Sequence, residues 1–181
     1  MHNTKEHIKK TFLSIYENKP LVQITVSELI RACNIARGTF YFHFENIQEL
    51  YHECENDIIN KMEVDLDQVV LNTVGKNREE YIKVYGRLLE SYKDDIDFFK
   101  CLLRGSEEAL FRSAWFESIR RNYTKAMNFS HDTSPAKREY LIHFFSGGLL
   151  AILSNWVLND CRESGEEIAA ISEQALSKGT F

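Results

Sequence analysis

Apolar residues recur at helical spacing along almost the whole 181-residue chain, and this periodicity restricts the fold more than any other feature. Only 2 prolines and 8 glycines interrupt it, so long helices are favoured and few breaks are forced. No segment of the sequence shows the alternating pattern of a half-buried strand. We therefore predict an all-α protein with an N-terminal three-helix head and a C-terminal helical bundle domain.

The first helix of the head is predicted from a stripe of apolar side chains that stops before Pro20. Residues three and four apart in a helix lie on one face, so this stripe would be buried against the rest of the head. The stripe consists of Ile8, Phe12, Ile15 and Tyr16.

Two short helices joined by a sharp turn are predicted next. Thr25 and Glu28 fit a capping box, in which the Thr25 hydroxyl accepts from the Glu28 amide and the Glu28 side chain reaches back. Asn34 suits the left-handed backbone conformation that ends a helix abruptly. A third helix then extends to about His43, with Phe40 and Phe44 expected on its inner face. This order is that of a helix-turn-helix, which we assign to residues 1–46.

Residues 47–181 are predicted to form a helical regulatory and dimerisation domain. A connecting helix is expected from Asn46 to about Val70, followed by a loop over 72–75. Ser134 and Ser164 are placed to cap the last two helices. The helices that follow the loop are predicted over Arg78–Tyr92, Ile96–Leu103, Glu107–Asn128, Ala136–Asn159 and Glu166–Ser177.

Charge is distributed unevenly between these two parts. Residues 1–46 contain six Lys and Arg against four Glu, although the whole chain carries a net charge of -5. A slightly basic head on an acidic body would turn its head towards a polyanion such as DNA.

Several classes of function find no support in the sequence. The four cysteines are far apart and form no CxxC pair, which favours buried reduced thiols in a cytoplasmic protein over a zinc site. Phosphate-binding loops and catalytic motifs are missing from the sequence, so we expect neither an enzyme nor a cofactor. Residues 140–158 carry no charge and approach membrane-spanning length, but His143 and Asn155 would be costly in lipid. A helix buried on two sides, with no membrane partner, explains this run better.

Residues 25–50 contain a distinctive set of residues in a fixed spacing: Thr25-Val26, Ile35, Gly38-Thr39-Phe40-Tyr41 and His43-Phe44. With this set in register and without a gap, the segment resembles the DNA-binding segment of the tetracycline-repressor (TetR) family. The resemblance implies a sequence-specific transcriptional regulator that binds a near-palindromic operator in double-stranded DNA as a homodimer. Repression is the common mode of the family, and a small effector molecule usually releases the repressor.

The resemblance and the geometry of a helix in the major groove together predict the DNA contacts. Arg37 would grip a guanine or a phosphate, Gly38 would allow a close approach of the backbone, and Thr39 would touch a base. Tyr41 and His43 would donate to phosphates, as they do in the family. The full predicted set is Thr25, Ser27, Ala36, Arg37, Gly38, Thr39, Tyr41, Phe42, His43 and Asn46.

Phe42 has two interpretations: an apolar contact to thymine methyl groups, or packing against the connecting helix. The chain also departs from the family pattern. Ala36 replaces the usual serine at the start of the recognition helix, and Ile47 replaces a lysine that grips a phosphate. We expect the lost phosphate contacts to shift to Asn46, Lys9 or Lys10.

A homodimer is also predicted from the helix over Ala136–Asn159, which is apolar nearly all round and must bury two faces. Together with the last helix, it resembles the four-helix dimer interface of the family. The predicted interface residues are Phe145, Gly148, Leu149, Ile152, Trp156, Ile168 and Ile171.

The family usually holds its effector among the helices of the second domain, where this chain is rich in large side chains. An apolar pocket with a few polar groups suits such a ligand, although a plain hydrophobic core explains the same residues. Two alternatives stay open: an activator in place of a repressor, and a protein partner in place of a small molecule. The predicted ligand contacts are Tyr92, Phe99, Trp115, Tyr123 and His143.

Overall fold

The computed structural model describes residues 2–73, 77–105, 107–126 and 133–178, and within these ranges the chain forms helices and no strand. The predicted all-α class is confirmed. Short 3-10 helices cover Leu21–Gln23 and Tyr92–Asp95. The α-helices are α1 (His2–Tyr16), α2 (Val26–Cys33), α3 (Arg37–His43), α4 (Ile47–Thr73), α5 (Arg78–Ser91), α6 (Ile96–Arg104), α7 (Glu108–Ala126), α8 (Pro135–Leu158) and α9 (Gly165–Lys178).

The helix boundaries agree with the predicted ones to within a few residues, with one correction. The connecting helix α4 continues to Thr73, whereas a loop was predicted from Asn72 onwards. Val74 and Gly75 of that loop, and Asn128 at the predicted end of α7, lie outside the described residues. Ser134 and Ser164 cap α8 and α9 as predicted, because their hydroxyl oxygens accept from the amides three residues on, at 3.2 Å in both cases.

The chain packs as two compact units. The first comprises Met1–Ile58 and Asp97–Phe111, and the second comprises Ile59–Ile96 and Arg112–Phe181. The first unit therefore contains α6 in addition to α1, α2, α3 and the beginning of α4. The functional division into residues 1–46 and 47–181 stays a prediction, since it concerns what each part binds.

Aromatic and aliphatic side chains fill the core of the first unit. The inward placement of Phe40 and Phe44 is confirmed, because both are buried and their ring centroids lie 5.9 Å apart. Burial of each such side chain stabilises the fold by roughly 1.5–3 kcal/mol. Other fully buried members of this core include Ile8, Phe12, Leu29 and Leu50.

In the second unit, the N-terminus of α9 packs closely on α5. A Cβ added to Gly86 would lie 2.7 Å from the Glu166 Cα, so only glycine fits at this crossing. A Cβ on Gly165 would collide with the Gly86 carbonyl group in the same way. The Gly165 amide donates to the Glu90 carboxylate at 2.8 Å, which satisfies one of the free N–H groups at the start of α9.

Helix α8 is long and apolar enough to cross a membrane by its length and composition alone. The core helix of a soluble protein has the same properties. The buried residues of α8 include Phe145, Leu149, Leu153 and Trp156, so α8 forms part of the core of the second unit.

Candidate nucleic-acid interface

The turn between α2 and α3 is built as the sequence predicts. Thr25 has an extended backbone, and its hydroxyl accepts from the Glu28 amide at 3.2 Å. The pKa of the Glu28 carboxyl group is lowered mainly by a hydrogen bond from Lys19. A hydrogen bond from the Thr25 backbone amide and the positive charge of Arg31 lower it further. Helix α2 begins at a side-chain cap, as expected of a capping box.

Asn34 ends α2 in the left-handed conformation, with φ 52° and ψ 48°. Its amide donates to the Arg31 carbonyl at 3.2 Å, and the Ile35 amide donates to the Ile30 carbonyl at 3.1 Å. These two bonds form a Schellman motif, which reverses the chain within two residues. Asn34 therefore fixes the angle at which α3 leaves α2.

Helix α3 has one buried face and one exposed face. Phe40 lies in the core, whereas all ten predicted DNA-contacting residues are accessible. Thr39 and His43 are half-buried. The exposed members are Thr25, Ser27, Ala36, Arg37, Gly38, Tyr41, Phe42 and Asn46.

Gly38 lies in the first turn of α3, and nothing in the described chain requires a glycine there. A Cβ built on Gly38 has no heavy atom within 4 Å. Glycine inside a helix costs about 1 kcal/mol relative to alanine. Gly38 therefore weakens its own helix but leaves open space beside the backbone. Such space allows another molecule to approach the backbone closely.

Arg37 and Tyr41 stand one helical turn apart on the exposed face. The Arg37 Nη2 donates to the Tyr41 phenol oxygen at 3.3 Å, and the Arg37 Cζ lies 5.5 Å from the centroid of the ring. Such a cation–π arrangement holds the guanidinium group beside the ring.

Phe42 is 68% exposed, and its ring contacts only the neighbouring His43 ring, at a centroid distance of 5.0 Å, among the ring contacts that are described. The interpretation in which Phe42 packs against the connecting helix is therefore wrong. An exposed phenylalanine beside accessible polar residues leaves the apolar contact to DNA as the remaining interpretation.

Both departures from the family pattern have visible consequences. Ala36 stands at the N-cap of α3 and provides no side-chain hydrogen bond. Ile47, in place of a lysine, is buried in the head. Asn46 caps α4, because its side-chain oxygen accepts from the Glu49 amide at 2.9 Å and the Glu49 carboxylate accepts from the Glu45 amide. The sequence contains this signal, an asparagine followed three residues later by a glutamate, but the prediction treated Asn46 only as a phosphate contact.

The proposed phosphate contact by Lys9 is wrong. Lys9 is only 8% exposed, and its ammonium nitrogen lies 2.6 Å from Asp57, 3.0 Å from Glu53 and 3.1 Å from Glu6. Burial alone would lower the pKa of Lys9, but hydrogen bonds from the ammonium group to the three carboxylates raise it well above its ordinary value. Lys9 thus joins α1 to α4, while the exposed Lys10 stays a predicted phosphate contact.

The predicted ligand contacts do not form one set. Phe99 is a core residue of the first unit, whereas the other four belong to the second unit. His143 is exposed and does not point into a core. Within the second unit, Tyr92 donates to Asp65 at 2.9 Å, Trp115 is buried and Tyr123 is half-buried.

The sequence reasoning missed Tyr85, which lies on α5 in the core of the second unit. Its ring is 5.8 Å from that of Tyr81, and its hydroxyl has no hydrogen-bond partner among the described residues. Burial raises the pKa of Tyr85 well above its ordinary value. The signal that could have indicated it is the four-residue spacing of Tyr81 and Tyr85, which puts two phenols on one helix face.

The residues predicted for the dimer interface differ in burial, and the interface itself stays a prediction. Phe145, Leu149, Trp156 and Ile168 are buried inside their own unit, and the Trp156 indole donates to the Glu163 carbonyl at 3.0 Å. Gly148 and Ile171 are exposed, and Ile152 is half-buried. The accessible apolar stripe of α8 passes through Tyr140, Phe144 and the predicted Gly148, at intervals of four residues.

Two family models match the sequence. Residues 18–54 match "Bacterial regulatory proteins, tetR family", and residues 79–178, more than half of the chain, match "Transcriptional regulator C-terminal region" of the same family. A curated relative is the uncharacterized HTH-type transcriptional regulator YerO of Bacillus subtilis (strain 168), 32% identical over 108 residues. That match covers 57% of this chain but only 36% of the relative, so the chain spans about a third of its length.

Solved structures with the same fold cover nearly the entire chain. The regulator FadR from Bacillus subtilis, in complex with stearoyl-CoA, has a TM-score of 0.66 at 13% identity, over 97% of this chain and 99% of that one. NalD, a secondary repressor of the MexAB-OprM multidrug efflux pump in Pseudomonas aeruginosa, has a TM-score of 0.65 at 13% identity, over 98% and 96%. The dihydroxyacetone kinase operon activator DhaS has a TM-score of 0.59 at 18% identity, over 98% and 96%.

At such identities, these structures show the shared fold alone. The family models, however, cover both the helix-turn-helix and most of the helices that follow it. The chain therefore belongs to the TetR family of DNA-binding transcriptional regulators.

Proposed function

We propose that the protein is a cytoplasmic repressor that binds a near-palindromic operator as a homodimer and is released by a small effector. In this proposal residues 1–46 bind DNA, and residues 47–181 dimerise and hold the effector. The main support for the proposed DNA binding is the exposed face of α3. Gly38, Arg37 and Phe42 all lie outside the core of the described chain, and together they suit a helix laid in a major groove.

The contacts follow from the position of each side chain. Arg37 in the first turn of α3 would reach a base edge, because the N-terminal residues of a recognition helix lie deepest in the groove. Ser27 is exposed in the first turn of α2, where free backbone N–H groups attract a phosphate. Tyr41 and His43 would donate to the DNA backbone, and Phe42 would pack against a thymine methyl group.

The homodimer is proposed from the exposed stripe of α8. Tyr140 and Phe144 are 77% and 70% exposed, although both are large and mostly apolar. Ile171 of α9 and Ala175 are also exposed, and a groove lined by Tyr123, Phe144 and Ile152 runs beside them. An exposed apolar patch of this kind favours association, and Gly148 leaves room for a second helix to approach.

The effector is proposed from the family and from the unpaired polar groups in the second unit. The hydroxyls of Tyr85 and Ser146 are buried without a hydrogen-bond partner in the described part of the chain. FadR in the compared structure holds stearoyl-CoA, so long-chain acyl compounds and their CoA thioesters are reasonable first probes. DhaS is named as an activator, which keeps activation by this fold as the second candidate.

Selection of bound sequences from a pool of random DNA duplexes, with the entire 181-residue chain, tests the proposal. We expect a consensus with two-fold symmetry, since each subunit of a dimer reads one half-site. The Arg37→Ala variant should lose about 1–3 kcal/mol of binding free energy on that consensus. A wild-type protein that enriches no sequence even at low salt, where phosphate contacts are strongest, would contradict DNA recognition.

A further inference from the structure

We infer that Arg37 and Tyr41 act as one coupled unit, in which Tyr41 directs the Arg37 guanidinium group towards the bases while its own hydroxyl group remains able to contact a phosphate. This inference rests on the proposed DNA binding, and it adds a role for Tyr41 that a plain phosphate contact would not have. Tyr41 is then a positioning residue for base recognition.

The two side chains are connected to the core through a third. Phe40 is fully buried, and its ring contacts the Tyr41 ring edge-on at a centroid distance of 5.4 Å. The Tyr41 side chain in turn contacts the Arg37 guanidinium group. Its hydroxyl oxygen accepts the hydrogen bond of 3.3 Å, and its ring makes the cation–π contact of 5.5 Å. A rigid aromatic anchor therefore holds a long side chain that would otherwise sample many rotamers.

The local helix gives Arg37 no other support. Arg37 is the first residue of α3, where the positive end of the helix dipole disfavours a cation. The first turn contains no acidic residue, and Ala36 supplies no cap. Among the described interactions of Arg37, the contact with Tyr41 is thus the one that favours an ordered side chain. Because the side chain is ordered before DNA binds, less conformational entropy is lost on binding.

Arg37 can contact a base and Tyr41 can contact a phosphate while the two side chains bind each other, because together they have enough hydrogen-bond donors and acceptors. A guanidinium group has five N–H donors, and the contact with Tyr41 uses one on Nη2. A bidentate contact to guanine needs two of the remaining donors. The Tyr41 oxygen acts as the acceptor in its bond with Arg37, so the phenolic hydrogen remains available for a phosphate. Accepting one hydrogen bond also polarises the hydroxyl group and strengthens it as a donor.

A double-mutant cycle tests the coupling. We compare the wild-type protein with Arg37→Ala, Tyr41→Phe and the double variant. Binding is measured to two duplexes: the selected consensus, and the same duplex with one base pair changed. The changed base pair is the one for which Arg37→Ala loses the sequence preference. Tyr41→Phe keeps the ring and its contact with Phe40, so the fold should be unaffected. We expect Tyr41→Phe to lower the discrimination between the two duplexes about threefold to tenfold when Arg37 is present, and to leave it unchanged when residue 37 is alanine.

A second cycle with Arg37→Ala and His43→Ala is the control, because these residues are six positions apart on α3 and their effects should be additive. Tyr41→Phe would overturn the inference if it weakened binding to both duplexes equally, with or without Arg37. An Arg37→Ala variant that keeps every base preference would overturn it as well. Failure of the wild-type protein to enrich any sequence is a different result, which contradicts the proposed function itself.

Discussion

Two pairs of glycines in this protein have opposite surroundings. Gly86 and Gly165 sit where α5 and α9 touch, and an added Cβ would collide with backbone atoms. Gly38 on α3 and Gly148 on α8 have open space where a Cβ would be. The packing of the chain explains the first pair completely and the second pair not at all. The open space at the second pair supports the two proposals made above, in which DNA approaches α3 and a second subunit approaches α8.

Among substitutions of these glycines, the largest effect is expected at the packed pair. Gly165→Ala forces a methyl group against the carbonyl of Gly86, and neither backbone can move without separating α9 from α5. Overpacking at such a site should lower the free energy of unfolding by about 3 kcal/mol. Urea denaturation of the purified variant measures this change. Glu166→Ala, next to it and exposed, is the matched control and should change the stability far less.

A second prediction extends the comparison to two neighbouring phenylalanines of α8. Phe144 is 70% exposed and Phe145 is 5% exposed. We expect Phe144→Ser to weaken the dimer by about 2 kcal/mol, the loss typical of a central aromatic contact, and to leave the unfolding of each subunit nearly unchanged. Sedimentation over a range of concentrations measures the dissociation constant.

The Phe145→Ser variant provides the contrast, because it removes a core side chain and should destabilise the fold by about 3 kcal/mol or more. If Phe144→Ser left the dimer intact and the wild-type protein were dimeric, the exposed stripe of α8 would not be the interface.

The same neighbours show why the turn between α2 and α3 was easier to predict than the face of α8 that is buried. The caps of α2 and the left-handed turn at Asn34 depend on residues within a few positions of each other, so their signals are present in the sequence. Helix α8 is apolar nearly all round, and periodicity cannot decide whether Phe144 or Phe145 faces the core. Lys9 was misassigned for a related reason, because its partner Asp57 is 48 positions away and only the packing of α1 on α4 reveals the pair.

The open glycine of α3 allows stability and binding to be separated. Gly38→Ala should raise the free energy of unfolding by up to about 1 kcal/mol, since alanine favours the helix and meets no neighbour. The same methyl group should weaken operator binding if the DNA backbone or a base occupies that space. Parallel measurements of urea unfolding and duplex affinity give the two signs. Ala114→Gly in the middle of α7 is the reverse change, and it should lower stability without altering the affinity for DNA.

The smallest effect is expected at Asn34, where the fold needs a left-handed residue but not a particular side chain. Asn34→Gly should stabilise the protein by a few tenths of a kcal/mol, because glycine adopts φ 52° without the steric penalty of a Cβ. Asn34→Ala should instead destabilise it by about 1 kcal/mol, as alanine retains the penalty and loses the polar side chain that tolerates this conformation. Thermal unfolding of the two variants resolves the difference in sign. Equal stability of both would mean that the Schellman hydrogen bonds hold this turn regardless of the residue, and that the angle between α2 and α3 does not depend on Asn34.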